Sequence, residues 1–326
     1  MSLHGLLEAT GAALAGLEPD AAGSVCEYVA PPGFYAPLIA GLPGGREGLT
    51  VVLAPSTRTA TQLARELGAY TAGVELFPDW ETLPHERLSP RADTMARRIW
   101  ALHRVTHPHP SDAVHFLVMP MRAALAPVNA HIADYPLFTV QVGDAYERDA
   151  MAADLLRLGY ERVDMVGTRG QFAVRGGLID VFSPTAAHPV RIELFGDEVD
   201  TIRAFTATDQ RTFGGDIREL VAPACRELLL DDAARERAAS LADQMPQAGE
   251  ILNLAAEGKY GEGLESLSPL LGAEMVPLFS LLPPGARLVA TDRPRLEARA
   301  KELVETTQEF LAASWSAAAG LSLIHI

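Results

Sequence analysis

Short, largely apolar runs alternate with helical patterns over the first 125 residues. The runs predict buried strands, because they are brief and rich in valine and leucine, and they occupy 49–54, 74–77 and 114–119. Between them, apolar side chains recur with helical spacing at 61–68 and again from Met95 to Val105. Thr57 stands where the first of these helices would begin, and we expect it to cap that end. The alternation predicts a parallel sheet flanked by helices over residues 1–125.

A different pattern occupies residues 126–212. A strand at 138–142 and a helix at 145–158 precede a segment in which apolar and polar residues alternate, from Phe172 to Arg175 and again over 190–195. The paired glycines at 176–177 interrupt that alternation as a bulge or a close backbone approach would, and the Gly-Asp step at 196–197 is a plausible hairpin turn. The pattern predicts a small α+β domain in which Arg175 and the arginine of the second run lie on one sheet.

The charge balance limits the partners that this chain can bind. It has 27 basic and 42 acidic residues, which give a formal net charge of −15. A field of that sign repels nucleic acid, so we expect weak DNA binding by this chain alone and favour a protein partner. No apolar run reaches the ~18 residues that a membrane span needs, and the first residues have no basic segment typical of a secretion signal. We therefore predict a cytoplasmic protein in which the distant Cys26 and Cys225 are buried, reduced thiols.

Two groups of side chains could carry chemistry. They are the histidines His103, His107 and His109, and the carboxylates Asp79, Glu81 and Glu86. The spacing of His103 and His107 could place two imidazoles on a zinc ion, but Pro108 ends the helix beside the second one, so we favour solvated residues at a helix end. The carboxylates could form an acid–base pair or cap turns in a proline-bounded loop. We expect Trp80, Phe172 and Phe182 to pack in the core and Asp180 to hold the sheet or pair with an arginine.

Two blocks of sequence indicate a family. The first runs Arg169-Gly-Gln-Phe-Ala-Val-Arg175-Gly-Gly-Leu-Ile-Asp180-Val-Phe182 and continues as Arg191-Ile-Glu193-Leu-Phe195-Gly-Asp-Glu-Val-Asp200. The second reads Leu76-Phe-Pro-Asp79-Trp80-Glu81-Thr-Leu-Pro84-His-Glu-Arg-Leu-Ser89-Pro90-Arg-Ala-Asp93. Both resemble segments of the bacterial transcription-repair coupling factors. The first is a signature that this family shares with UvrB, the helicase subunit of nucleotide excision repair. The resemblance covers roughly residues 48–212, and His85 replaces an aromatic residue usual in the second block.

The resemblance implies a three-part layout. Residues 1–125 would form a degenerate, helicase-like parallel-sheet domain of the P-loop type, residues 126–212 an inserted α+β domain that binds UvrA, and residues 213–326 a partial return to the first domain. Within the last part, a strand is predicted at 287–291. Residues 40–48 stand where UvrB carries its phosphate loop, but they have no Gly-Lys-Ser/Thr step. We therefore expect no cofactor in this segment, and ATP and Mg²⁺ would belong to the motor domains of a longer parent.

The same resemblance assigns a role to charged residues of the first block. Arg175, Arg191 and Glu193 match positions implicated at the UvrA interface of UvrB-like proteins. We add Arg162 and Arg169 to this predicted UvrA-binding set. Considered without the resemblance, these side chains could instead form cross-strand pairs on a charged sheet face.

We therefore predict that this chain recruits UvrA in transcription-coupled nucleotide excision repair. The resemblance implies a parent that is an ATP-dependent translocase, binds double-stranded DNA and displaces stalled RNA polymerase. It also implies that the far C-terminal region of the parent masks the UvrA surface, so we expect this chain to bind UvrA without activation. One alternative is a divergent UvrB-type or other nucleotide-dependent enzyme, such as a Rossmann-like oxidoreductase. Another is a direct DNA binder.

Overall fold

The computed structural model describes residues 10, 25–42, 48–82 and 88–324, with side chains as far as residue 309. The chain divides into two compact units. The parallel-sheet unit comprises residues 1–79, 104–127 and 277–326, and the antiparallel-sheet unit comprises residues 80–103 and 128–276. The domain boundaries at 125/126 and 212/213 stay predictions, and one strand, Thr212–Asp216, begins at the second of them.

The described residues form these elements in chain order. The strands are β1 (Thr50–Ala54), β2 (Val74–Leu76), β3 (Phe116–Pro120), β4 (Pro127–Asn129), β5 (Phe138–Gln141), β6 (Glu161–Arg162), β7 (Gln171–Arg175), β8 (Leu178–Val181), β9 (Val190–Phe195), β10 (Glu198–Phe205), β11 (Thr212–Asp216), β12 (Glu219–Ala222), β13 (Met275–Pro277) and β14 (Arg287–Ala290). The α-helices are α1 (Tyr35–Ala40), α2 (Thr57–Gly68), α3 (Ala92–Thr106), α4 (Met121–Leu125), α5 (Arg148–Arg157), α6 (Asp232–Ala242), α7 (Gly249–Ala256) and α8 (Arg293–Ile324). None of these helices is both long enough and apolar enough to cross a membrane.

The parallel-sheet unit is built on four strands in the order β14-β1-β3-β2, all of them parallel. The two central strands are almost entirely apolar and are buried along their whole length, as is typical of strands covered on both faces. Ile39 of α1 and Leu63 and Leu67 of α2 belong to the same core cluster as Val52 and Val118. The predicted parallel α/β fold is confirmed, and β14 is the strand predicted near the C-terminal end.

The start of α2 differs by one residue from the prediction. Ser56, not Thr57, is the N-cap, because its Oγ accepts a hydrogen bond from the backbone N–H of Thr59 at 3.2 Å. The Thr59 Oγ1 in turn accepts from the backbone N–H of Ser56 at 3.0 Å, which completes a reciprocal capping box. Thr57 instead donates through Oγ1 to the carboxylate of Asp79 at 2.7 Å.

The antiparallel-sheet unit contains a six-stranded sheet in the order β11-β10-β9-β8-β7-β6. The strands from β7 to β11 are antiparallel neighbours, so the chain folds as consecutive hairpins, and β6 lies parallel to β7. Gly176 and Gly196 lie in two of the hairpin turns with φ of 59° and 65°, a conformation that strains other residues. The glycines at 176–177 thus form a turn and not a bulge, whereas the expected close backbone approach is present at Gly177, where an added Cβ would lie 3.1 Å from the carbonyl oxygen of Leu194. A second ribbon pairs β5 with β12. Helix α5 lies between β5 and β6 along the chain, so the region contains both a helix and antiparallel strands, as the predicted α+β fold requires.

The two faces of the six-stranded sheet differ in burial. One face carries Phe172, Ile179, Ile192 and Ile202, all completely buried. Because side chains alternate along a strand and cross-strand partners share a face, charged residues of the same strands lie on the opposite face. We call this opposite side the polar face, defined by Arg175, Leu178, Asp180, Arg191, Glu193, Phe195, Thr201, Arg203 and Asp216.

Candidate partner-binding site

The polar face presents two cross-strand rows of side chains. The first row is formed by Ala173, Asp180, Arg191, Arg203 and Asp216, on β7 to β11. The second row is formed by Arg175, Leu178, Glu193 and Thr201, on β7 to β10. Phe195 comes two residues after Glu193 on β9 and extends the same face towards the hairpin turn. Strand pairing therefore places Asp180 beside Arg191 and Arg203 beside Asp216, with the two arginines next to each other between these carboxylates.

Asp180 lies at the centre of these charges. Its side chain is only 1% exposed. The carboxylate accepts two hydrogen bonds from Arg191, from Nε at 2.7 Å and from Nη2 at 2.9 Å, and a third from Nη2 of Arg175. A buried carboxylate is costly unless it is paired and hydrogen-bonded, and here both conditions are met. The prediction that Asp180 pairs with an arginine is confirmed.

The two arginines differ in how far they are exposed. The side chain of Arg191 is 14% exposed, and its guanidinium lies 4.9 Å from the centre of the Phe205 ring. Its Nη1 also contacts the backbone carbonyl of Gln210 at 3.4 Å. The hydrogen bond to Asp180 raises the pKa of Arg191, so its guanidinium stays charged. Its hydrogen bonds are made to Asp180 and Gln210 of the same domain. Arg175 is 42% exposed and directs most of its donors to solvent.

Other charged residues lie close to Arg191 on the polar face. Arg203 of β10 pairs with Asp216 of β11, with Nε and Oδ1 2.7 Å apart, and this hydrogen bond raises the pKa of Arg203. Glu193 is half-buried opposite Leu178 and Thr201. Glu193 thus lies on the same face of the sheet as Arg175 and Arg191.

Arg162 and Arg169 occupy other places. Arg162 of β6 pairs in register with Phe172, whose side chain belongs to the buried face, so Arg162 lies on the opposite side of the sheet from Arg175. Arg169 precedes β7, donates from Nε to the carbonyl of Ala186 at 3.0 Å, and lies 5.4 Å from the centre of the Phe182 ring. The structure does not bring these two arginines into the polar face.

Phe195 is an exposed residue of the polar face to which the sequence analysis gave no role. It is 83% exposed, the most exposed phenylalanine among the described residues. An aromatic side chain so exposed beside charged groups is a common feature of protein interfaces. The signal was available in the sequence, because Phe195 alternates in phase with Arg191 and Glu193 and directly precedes a hairpin turn.

The three histidines have separate environments. Nδ1 of His103 is 3.0 Å from the carbonyl of Ala133, and the ring stacks on Trp100. His107 and His109 each place Nδ1 within hydrogen-bond distance of a nearby hydroxyl. Among the described residues, no group of three or more potential metal ligands comes together. These contacts favour the interpretation as residues at the end of a helix.

The remaining sequence hypotheses concern core and loop residues. Glu81 accepts a hydrogen bond from the backbone N–H of Arg91 at 2.8 Å, as a turn-capping residue would. Phe172 and Phe182 are buried, as predicted, and Trp80 is partly buried. Residues 43–47 of the segment compared with a phosphate loop, and Glu86 of the carboxylate group, lie outside the described residues.

The two cysteines do not share one environment. Cys225 is buried, and burial raises the pKa of its thiol. Cys26 is exposed, so the prediction that both cysteines are buried is wrong for Cys26. The reason is local, because Cys26 lies in a segment at 25–31 that has no regular structure and is mostly exposed.

Comparison with known proteins gives this geometry a context. Residues 138–225 match the family model described as the UvrB interaction domain, and every residue of the polar face lies in that range. The chain is 43% identical over 288 residues to the transcription-repair-coupling factor of Mycobacterium tuberculosis, a match that covers 84% of this chain and 23% of the relative. It is 32% identical over 258 residues to that of Haemophilus influenzae, covering 77% of this chain and 22% of the relative. It is 28% identical over 263 residues to that of Escherichia coli, covering 78% and 22%.

The fold and the matched range define the class first: this is a UvrB-like chain with a parallel-sheet unit and a UvrB interaction domain. The relatives reported above match most of the length of this chain and identify its family. The chain is a homologue of the transcription-repair-coupling factors and corresponds to part of such a protein. It spans less than a quarter of the length of these relatives.

Proposed function

We propose that this chain acts in transcription-coupled DNA repair by recruiting UvrA through the polar face of its UvrB interaction domain. The observation that carries the proposal is that an exposed arginine, Arg175, and an exposed aromatic residue, Phe195, lie on the same sheet face inside the matched range. Arg191 and Glu193, the other residues predicted from the resemblance, lie on the same face and support it.

The polar face has the composition of a protein-binding surface. Arginine and aromatic side chains are enriched among the residues that contribute most to binding at interfaces. Arg175 offers planar donors that suit a carboxylate, whereas Phe195 and the partly buried Leu178 offer apolar area that a partner would remove from water. The complementary surface of UvrA would then present a carboxylate opposite Arg175 and an apolar recess for Phe195.

The positions of Arg162 and Arg169 limit their part in this proposal. Arg162 lies on the other side of the sheet, and Arg169 is held against Phe182 and the carbonyl of Ala186. We therefore propose that both contribute at the periphery of the contact, through long-range charge, and that direct contacts come from the polar face.

For the complete parent we propose the activity that the name of the relatives describes, coupling of transcription to repair. ATP hydrolysis with Mg²⁺, and the binding of double-stranded DNA and RNA polymerase, would belong to regions outside this chain. The contribution of this chain would be protein recognition in the cytoplasm, without a cofactor of its own. Its net charge of −15 supports a protein partner over nucleic acid.

Charge reversal on the polar face tests the proposal. We expect Arg175→Glu to weaken UvrA binding by about 1–4 kcal/mol, because the variant places a carboxylate opposite an acidic partner surface. Isothermal titration of the purified chain against UvrA measures this change. Arg299→Glu, which makes the same charge change on α8 of the parallel-sheet unit, should bind as the unmodified chain does. A folded Arg175→Glu variant with unchanged affinity would refute the site, and absence of binding by the unmodified chain would refute the function.

A further inference from the structure

Arg175 and Arg191 share one carboxylate but use their donors differently. An arginine side chain has five N–H donors in a rigid fork. Arg191 directs hydrogen bonds from Nε, Nη1 and Nη2 into its own sheet, to Asp180 and to the carbonyl of Gln210. Arg175 directs a single hydrogen bond inwards, from Nη2 to Asp180. Of the two arginines that share Asp180, Arg175 therefore has more donors left for a partner.

Arg175 and Arg191 share the carboxylate of Asp180. Two guanidinium groups meet the single carboxylate of Asp180, which is 1% exposed and cannot turn towards a partner without leaving its hydrogen bonds. The group of three side chains carries one surplus positive charge. Since the inner arginine is 14% exposed and the outer one 42% exposed, that surplus is presented on Arg175. A carboxylate is the partner group whose geometry matches an exposed guanidinium.

We propose that Asp180 and Arg191 are positioning residues for Arg175, and that Arg175 is the anchor that binds a carboxylate of the protein partner. This inference rests on the proposed function and deepens it, because it assigns different roles to two arginines that the sequence treats alike. Arg191 holds the carboxylate through a bidentate contact. The carboxylate then holds the Nη2 edge of Arg175, so that its remaining donors are oriented before the partner arrives.

The alternative is a direct contact between Arg191 and the partner, and the geometry opposes it. To reach a partner, Arg191 would give up the bidentate contact and leave a buried carboxylate with one hydrogen bond. Removing one member of a buried pair is strongly unfavourable. It would also leave its position over the Phe205 ring. The contact within the sheet is therefore the state that Arg191 keeps when the partner binds.

A double-mutant cycle tests the proposal by titration against UvrA. We expect Arg175→Ala to lower the affinity about 10- to 100-fold. Asp180→Asn should lower it at least about 10-fold, because the anchor loses its orientation. Arg175→Ala/Asp180→Asn should bind about as weakly as Arg175→Ala alone, because Asp180 acts through Arg175. Losses that multiply in the double variant would overturn the proposal, since they would mean that Asp180 supports the fold or contacts the partner independently.

A second cycle guards against failure of Asp180→Asn to fold. Arg191→Lys keeps the charge but loses the planar fork that binds Asp180 on two atoms. We expect it to lower the affinity about 10-fold when Arg175 is present and to have no further effect when Arg175 is alanine. An equal loss in both backgrounds would show that Arg191 contacts the partner itself, and would overturn its positioning role.

A measurement without the partner separates this inference from the proposed function. In nitrogen-15 NMR of the isolated chain, the Nε–Hε group of Arg175 should be ordered and should become mobile in Asp180→Asn. If the unmodified chain does not bind UvrA, the proposed function fails, whereas this measurement still decides the positioning role. An Arg175 signal that is equally mobile in both proteins would overturn it.

Discussion

At the scale of single residues, Glu227 joins segments of the antiparallel-sheet unit that are far apart in sequence. Its carboxylate accepts hydrogen bonds from Nε of Arg98 at 2.6 Å and from Nε1 of Trp80 at 2.8 Å. Its backbone carbonyl accepts from the hydroxyl of Tyr135 at 2.7 Å. Arg98 is 1% exposed and Glu227 6% exposed, so the two side chains form a buried ion pair. Trp80, a member of the second family block, is therefore held by a buried ion pair.

We expect Glu227→Gln to destabilise the chain by about 3 kcal/mol or more, because it removes the carboxylate charge that is paired with the buried guanidinium of Arg98. Urea unfolding followed by circular dichroism measures the change in the free energy of unfolding. The matched control is Glu297→Gln, which removes a carboxylate from an exposed ion pair on α8 and should leave stability nearly unchanged. Equal stability of the two variants would contradict the role of Glu227.

At the scale of elements, Gly170 joins three strands of the six-stranded sheet. Its N–H donates to the carbonyl of Phe182 at 2.8 Å, and its carbonyl accepts from the N–H of Glu161 at 2.9 Å. The residue adopts φ of +84°, and an added Cβ would lie 3.0 Å from the Cβ of Ala92. Both the backbone conformation and the space therefore require glycine where β6, β7 and β8 meet.

We expect Gly170→Ala to destabilise the antiparallel-sheet unit by about 1–3 kcal/mol, through strain at positive φ and the close contact with Ala92. The midpoint of urea unfolding measures it. Gly214→Ala is the control for strain alone, because Gly214 has φ of +73° but nothing within 4 Å of an added Cβ. If Gly214→Ala costs as much as Gly170→Ala, the contact with Ala92 contributes nothing.

At the scale of the whole molecule, acidic residues outnumber basic ones, and many arginines are already paired within the chain. Arg98, Arg175, Arg191, Arg203 and Arg226 all contact carboxylates of their own unit. Binding to a phosphate backbone depends on cations that can replace bound counterions. A chain with a net charge of −15 and paired arginines has few such cations to offer.

We therefore expect the isolated chain to bind double-stranded DNA more weakly than ~100 µM at physiological salt, the weak end of ordinary non-specific binding. Fluorescence anisotropy with a labelled duplex, measured over a range of salt concentrations, tests this. Tight binding that weakens steeply with salt would contradict the expectation and would favour the interpretation as a direct DNA binder.

The sequence by itself determined the local patterns and, through them, the fold class. Strands of the parallel sheet follow from short apolar runs, and the hairpin of β9 and β10 follows from two-residue alternation ended by the Gly196-Asp197 turn, whereas the hairpin turn at Gly176 is seen only in the structure. The alternation also placed Arg191 and Glu193 on one side of their strand. These features could be predicted because a side chain's face depends on the backbone geometry of its own strand.

Only the tertiary structure decided which partners those side chains have. That Arg191 faces inward to Asp180, that Arg162 lies across the sheet from Arg175, and that Phe195 stays exposed all depend on strand register and burial. The contact of Glu227 with Trp80 joins residues 147 positions apart. Local periodicity contains no information about such pairs, because the cost of burying a charge is set by groups that only folding brings beside it.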